Sequence, residues 1–149
     1  MPEQQTIERA KKAKKKGKSP GMQAGEFVKA EIENIRKGTH GARSAKQAIA
    51  IGLSEARRAG VDLKPPKKGT VSEKTRRSAQ QAYEKGQRHE PISKTRSQAR
   101  ERALKKESTA AASHTALSRQ AHEAAMKKTA AERSATAKKA ARTRKRTTS

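Results

Sequence analysis

The sequence predicts an all-α protein: a small helical hairpin core with Ala/Lys-rich basic arms that are disordered or conditionally helical. Only 30% of the residues are hydrophobic, with one Phe, one Tyr and no Trp. The 38 Lys and Arg residues against 14 Asp and Glu give a net charge of +24. Chains with so few apolar side chains and so much like charge rarely offset the entropy of ordering their backbone. A single core spanning the whole chain is therefore not expected.

Charge and apolar side chains divide the chain into three regions. Residues 1–21, a basic N-terminal arm, hold seven basic and two acidic residues. Residues 22–63 hold seven basic and five acidic residues, and residues 64–149, a basic low-complexity C-terminal region, hold 24 and seven. Ten of the eighteen Ile, Leu, Val, Met, Phe and Tyr residues fall between positions 22 and 63. The hairpin core is predicted in this middle region.

The first helix of the hairpin is predicted over residues 23–37. Phe27, Ile32 and Ile35 recur there at three- and four-residue spacings, which places them on one helix face. Gly38 follows directly and is suited to end the helix.

The second helix is predicted to begin after Ser44 and to stop at Gly60. Ser44 and Gln47 have the spacing of a capping box, in which each side chain bonds the backbone N–H of the other residue. Gly52 would permit close approach of the first helix, and Val61 is placed for the apolar contact that often follows a glycine cap.

A hairpin of about 40 residues is small for independent stability. It is either marginal, or it dimerises, or it borrows apolar surface from a third element. Pro65 and Pro66 mark the boundary that follows it.

Beyond Pro66 the chain is rich in Ala, Lys, Arg, Ser, Thr and Gln, which favour helices but supply thin apolar faces. Helical segments that form when phosphates neutralise their charge are predicted over residues 72–85, 93–106, 113–128 and 131–145. Gly86 is expected to end the first of these segments.

The basic clusters predict a nucleic-acid partner, because each Lys or Arg that meets a phosphate releases condensed counterions. Aromatic platforms for single strands are lacking, so double-stranded DNA is favoured over RNA. The candidate nucleic-acid-binding residues are Lys11, Lys12, Lys14, Lys15, Lys16, Lys18, Arg43, Lys46, Arg57, Arg58, Lys67, Lys68, Arg76, Arg77, Lys127, Lys128, Lys138, Lys139, Arg142, Arg144, Lys145 and Arg146.

Other chemistry is not expected. The chain has no Cys, its four His are scattered, and no paired carboxylates are expected in an apolar setting. The sequence therefore predicts no catalytic residues, metal site or cofactor, and the protein is not expected to be an enzyme. The longest apolar run, residues 48–53, is far shorter than the roughly 20 residues of a membrane span, and no signal peptide is recognisable. No membrane partner and a cytoplasmic location, at the nucleoid, are expected.

The stretch Gly41-Ala42-Arg43-Ser44-Ala45-Lys46-Gln47-Ala48-Ile49-Ala50-Ile51-Gly52-Leu53-Ser54, with the boundary at residues 65–68, resembles a family of small basic bacterial proteins. That family is functionally uncharacterised and is sometimes labelled DNA-binding on its basicity. The C-terminal region is similar in composition to the arms of linker histones.

The leading hypothesis is a histone-like, nucleoid-associated protein that binds double-stranded DNA without sequence preference. The alternatives are a ribosome- or RNA-associated basic protein and a protein-interaction module that its basic arms localise. In each case residues 22–63 are the candidate surface for a homodimer or a protein partner.

Overall fold

The structure, a computed structural model, describes residues 3–148 and is helical throughout. Its α-helices are α1 (Gln4–Lys15), α2 (Pro20–Arg36), α3 (Ala45–Arg58), α4 (Glu73–Gln87), α5 (Lys94–Lys105), α6 (His114–Met126) and α7 (Ala130–Thr148), with a 3₁₀ turn at Thr109–Ala112. The chain divides after Ser113 into two compact units. The prediction of an all-α fold is confirmed.

The predicted hairpin is formed by α2 and α3, which pack along each other. Ser44 caps α3, because its Oγ accepts a hydrogen bond from the backbone N–H of Gln47 at 3.1 Å. The Gln47 side chain reaches back one residue further than expected and accepts from the backbone N–H of Arg43 at 2.7 Å. Gly38 and Gly60 end α2 and α3 with φ of +81° and +95°, a conformation that glycine adopts without a Cβ clash.

The main core lies where α1 covers the hairpin. Ala10 of α1, Ala24 and Phe27 of α2, and Ala56 and Val61 form one buried cluster. Phe27 is 1% exposed and is the largest fully buried side chain among the described residues. The hairpin therefore obtains apolar surface from a third element, one of the three alternatives left open above.

A second cluster closes the other end of the hairpin. Ile35 and Ala48 pack there against Ala111 and Ala112 of the 3₁₀ turn. Arg36 Nε also donates to the carbonyl oxygen of Ala112 at 2.9 Å. A segment far along the chain thus completes the hairpin.

The prediction that the arms are disordered or only conditionally helical is wrong. Residues of the N-terminal arm form α1, which buries Thr6, Ala10 and Ala13. In the C-terminal region α4 buries Ala79 and Ala82 against α3. The physical reason is that Ala and Gly let helix axes approach closely, so backbone and Cβ contacts replace the large apolar side chains that the arms lack.

The second unit consists of α6 and α7. At the start of α7 the Thr129 Oγ1 accepts from the backbone N–H of Glu132, and a Glu132 oxygen accepts from the backbone N–H of Thr129. This reciprocal capping box fixes the helix start. Ala is frequent in both helices and α7 is also rich in Lys and Arg; these residues are strong helix formers, so these segments are helical with little burial.

Over residues 3–148, no helix combines the length and the hydropathy that crossing a lipid bilayer requires.

Candidate functional site

The lysines of the N-terminal arm lie on the surface of α1 and in the turn after it. Because the Thr6, Ala10 and Ala13 face of α1 is buried, the lysine side chains are exposed. None of them forms an ion pair with a described acidic side chain. This lysine surface consists of Lys11, Lys12, Lys14, Lys15, Lys16 and Lys18.

A second basic surface follows α7. Lys138, Lys139, Arg142 and Arg146 are exposed, and their three-, four- and eight-residue spacings place them on one side of the helix. Within residues 3–148 none of these four forms an ion pair. Successive charges four residues apart are about 6 Å apart along the axis. We call these four residues the α7 surface.

The remaining candidates are more dispersed. Arg76 is half-buried and donates to both carboxylate oxygens of Glu73 at 3.1 Å. Arg144 lies on the side of α7 opposite the α7 surface, and Lys145 lies next to that surface. Both residues are exposed. The other exposed candidates are Arg43, Lys46, Lys67, Lys68, Arg77, Lys127 and Lys128.

Arg57 and Arg58 have structural roles. Arg57 is 8% exposed, and its guanidinium donates to the carbonyl oxygens of Leu63 and Lys64 at 3.1 and 3.4 Å. Burial lowers the pKa of the Arg57 guanidinium. Arg58 Nη2 lies 3.4 and 3.3 Å from the carbonyl oxygens of Glu90 and Pro91. The two arginines therefore fix the segments that leave α3 and α4.

Both aromatic side chains are engaged within the fold. Phe27 is buried in the main core. Tyr83 donates its hydroxyl to Asp62, and Lys64 Nζ donates to the Tyr83 hydroxyl at 2.9 Å. No aromatic face is thus arranged as a stacking platform for bases.

A pocket of about 790 Å³, lined by acidic and basic side chains, opens in the first unit. Its walls come from α1, α2, α3, α4, α5 and segments next to these helices. Five of the chain's 14 acidic residues line it, an unusual concentration in so basic a chain. They are Glu3, Glu31, Glu55, Glu90 and Glu101.

Glu31 and His40 meet inside this pocket. Glu31 is 3% exposed, and its Oε1 lies 2.9 Å from His40 Nε2. His40 Nδ1 lies 2.9 Å from the carbonyl oxygen of Gly41, which can only accept, so Nδ1 bears the hydrogen. His40 is thus a side chain that Glu31 contacts inside the pocket.

Burial is the main influence on the pKa values of the Glu31 and Glu55 carboxyl groups. It raises the pKa of Glu31 above its usual range, against the opposing effect of His40. Burial, reinforced by the nearby Glu31, raises the pKa of Glu55 to about 7. The pocket thus holds one carboxyl group, that of Glu55, with a pKa near neutral, and a second, that of Glu31, with a raised pKa.

The sequence analysis did not anticipate that Glu31 is buried and acts electrostatically on Glu55. The signal was present in the helix periodicity. Glu31 follows Phe27 by four residues and precedes Ile35 by four, which places it within the buried stripe of α2. Glu55 likewise follows Ile51 by four residues. A charged residue in register with an apolar stripe indicates a buried acid.

Glu55 should make the protein less stable as the pH rises. Its pKa is raised in the folded state, so its contribution to stability is full below the ordinary value of 4.5 and is lost as the pH passes through about 7. The corresponding loss is at most about 3 kcal/mol. Glu31 acts in the same direction, while Arg100 and His40 face Glu55 and oppose it.

Glu55→Gln is therefore expected to gain stability over the wild type at about pH 8 and little at about pH 5. Urea unfolding followed by circular dichroism at both pH values measures this difference. Glu8→Gln, which neutralises an exposed carboxylate of α1, is the matched control. Identical pH dependence in Glu55→Gln and wild type would contradict the assignment.

The fold and these surfaces define a basic, all-helical protein. Residues 3–68, from the start of α1 to the segment after α3, match a family described as "Family of unknown function (DUF6496)". This match confirms that the first part of the chain resembles an uncharacterised family. The comparisons found no match among curated proteins or solved structures.

Proposed function

We propose that this protein binds double-stranded nucleic acid, with DNA as the favoured form, through phosphate contacts that do not depend on base sequence. The observation that carries the proposal is the α7 surface: four cationic side chains on one side of a helix, exposed and without acidic partners among residues 3–148. The phosphates of a duplex carry condensed counterions, and each cationic side chain that neutralises a phosphate releases them with a gain of entropy.

The lysine surface of α1 supports the same proposal. Its residues occupy the C-terminal end of α1 and the segment after it, and their short spacing gives a high local density of charge. Lysines act on phosphates as flexible point charges and need no fixed geometry. A backbone-binding surface of this kind positions a protein on a duplex without reading its bases.

Base recognition and single-strand binding have less support. Base-reading proteins place a helix with free polar side chains in the major groove. The two arginines at the end of α3 instead donate to backbone carbonyls. Single-strand binding relies on exposed aromatic rings, whereas Phe27 is buried and Tyr83 is hydrogen-bonded to its neighbours.

The two basic surfaces belong to different units, with α1 in the first and α7 in the second. Two linked modules that each bind phosphates raise each other's effective concentration at the duplex. A histone-like, nucleoid-associated role is therefore the cellular function that we propose.

The test is the salt dependence of duplex binding. Fluorescence anisotropy of two labelled DNA duplexes of unrelated sequence, at about 50 to 200 mM KCl, should give a slope of log K against log salt of about −4 or steeper. This value follows because the four side chains of the α7 surface alone contribute about −3.6. The two duplexes should bind equally within a factor of about three.

A slope near zero, or a strong preference for one duplex, would refute the proposal. An RNA duplex of the same sequence and a single-stranded DNA serve as comparisons. Markedly tighter binding of the RNA would move the function to the alternative of an RNA-associated basic protein.

A further inference from the structure

Helix α5 adds little to the core of the first unit. Leu104 is its buried residue, and its other side chains are half-buried or exposed. Core packing therefore does not determine which side chains the outer side of α5 carries.

Both ends of α5 are nevertheless held in place by hydrogen bonds to the backbone. Before its start, the Arg58 guanidinium lies 3.4 and 3.3 Å from the carbonyl oxygens of residues 90 and 91. At its end, the backbone N–H of Gly41 donates to the carbonyl oxygen of Leu104 at 2.9 Å. Because these bonds use none of the polar side chains of α5, the helix is positioned while those side chains stay available to a partner.

The cations of α5 are divided between two sides of the helix. Residues 94–106 hold six basic residues and one acidic residue. Arg96 and Arg100 line the pocket, and Arg100 acts electrostatically on the Glu31 and Glu55 carboxyl groups. These two arginines therefore have acidic neighbours within the first unit.

The cations on the outer side of α5 lack such neighbours. Lys94, Arg102 and Lys106 are exposed, and their eight- and four-residue spacings place them in one row about 18 Å long. Within residues 3–148 none of the three forms an ion pair, whereas the adjacent Lys105 pairs with Glu101 at 3.5 Å. We call these three residues the α5 surface.

We propose that the α5 surface binds phosphates of the duplex, as a third basic surface beside those of α1 and α7; this inference rests on the proposed function. Each strand of a duplex presents a phosphate about every 3.4 Å along its axis, so the row is as long as about five successive phosphates. The helix holds the three cations in fixed positions before binding. Three phosphate contacts contribute about −2.7 to the slope of log K against log salt.

The test neutralises the α5 surface in the full chain with Lys94→Gln, Arg102→Gln and Lys106→Gln. Glutamine forms helices nearly as well as Lys and Arg, so the circular dichroism spectrum should not change. Affinity for duplex DNA, measured by anisotropy, should fall by about 500-fold at 0.1 M salt, and the salt slope should become shallower by about 2.7. Exchanging the same residues with retention of charge, as Lys94→Arg, Arg102→Lys and Lys106→Arg, should leave affinity within about threefold of wild type.

A second control separates the α5 surface from the total charge of the protein. Lys29→Gln, Lys37→Gln and Lys74→Gln together remove three exposed cations that lie outside the proposed surfaces. This variant loses as much net charge as the glutamine variant of the α5 surface. Its salt slope should nevertheless stay within about 0.5 of the wild-type value, because these residues are not expected to meet phosphates.

Three results would overturn the inference, and they differ from a failure of the proposed function. The α5 glutamine variant retains wild-type affinity for DNA, which would show that α5 does not bind the duplex. The control that neutralises residues 29, 37 and 74 loses as much affinity, which would show that total charge governs binding. The α5 glutamine variant loses binding to poly-L-glutamate but not to DNA, which would assign the α5 surface to an acidic protein. A wild-type salt slope near zero would instead refute the proposed function and, with it, this inference.

Discussion

Gly86→Ala should destabilise the first unit by about 3 kcal/mol, because overpacking against a rigid neighbour costs about this much. A Cβ at position 86 would lie within 2 Å of the carbonyl oxygen of Arg57. That oxygen belongs to the backbone at the end of α3, so it cannot move aside as a flexible side chain would. The two helices would have to separate, and the contacts of Ala79 and Ala82 with α3 would be lost with them.

Gly25→Ala is the matched control. Gly25 also lies within a helix, but a Cβ there would meet no heavy atom within 4 Å. Alanine is a better helix former than glycine by about 0.5 to 1 kcal/mol, so this variant should be slightly more stable than wild type. Urea unfolding of the full chain by circular dichroism compares the three proteins. Equal stability of Gly86→Ala and wild type would show that α3 and α4 do not approach this closely.

The hairpin could be predicted from sequence because its signals are local. The apolar spacing of α2, the Ser44 cap and the two terminal glycines act within one or two helical turns. Gly52 was also interpreted correctly, since a Cβ there would lie 2.6 Å from Val28 Cα. Each of these features needs only the nearest helix as its partner.

The packing of the arms could not be predicted in the same way. Composition indicated too little apolar area, but α1 and α4 dock through alanines whose contacts depend on where the partner helix lies. The prediction that Gly86 ends its helix is also wrong, because the role of this glycine depends on the neighbouring helix α3. The helix continues to Gln87, His89 adopts the positive φ of 54° beyond it, and Gly86 provides the close approach to α3.

Some residues of the candidate site could likewise be predicted from the sequence, and others could not. Exposed lysines are predictable from composition, because a charged side chain in water needs no partner. In the sequence, Arg57 cannot be distinguished from an exposed basic residue. Only the path of residues 63–64 in the fold shows that its guanidinium donates hydrogen bonds to their two carbonyl oxygens. Glu31 could have been found by its register, but its link to His40 requires the fold of the segment between α2 and α3.

Neutralising the α7 surface should reduce affinity for duplex DNA by about 4,000-fold at 0.1 M salt, because each of the four phosphate contacts contributes close to a factor of eight there. The variant replaces all four residues with glutamine: Lys138→Gln, Lys139→Gln, Arg142→Gln and Arg146→Gln. Glutamine forms helices nearly as well as Lys and Arg, so α7 should keep its structure, which circular dichroism checks. The salt slope should become shallower by about 3.6.

The control exchanges the same four residues while keeping their charge: Lys138→Arg, Lys139→Arg, Arg142→Lys and Arg146→Lys. The proposed contacts depend on charge and not on the fixed donor geometry of an arginine guanidinium. This variant should therefore bind duplex DNA within about threefold of wild type and with an unchanged salt slope. If the charge-retaining variant loses as much affinity as the glutamine variant, the α7 surface recognises a defined geometry and the electrostatic mechanism is wrong. If neither variant loses affinity, the α7 surface does not bind the duplex, and the observation that carries the proposed function is removed.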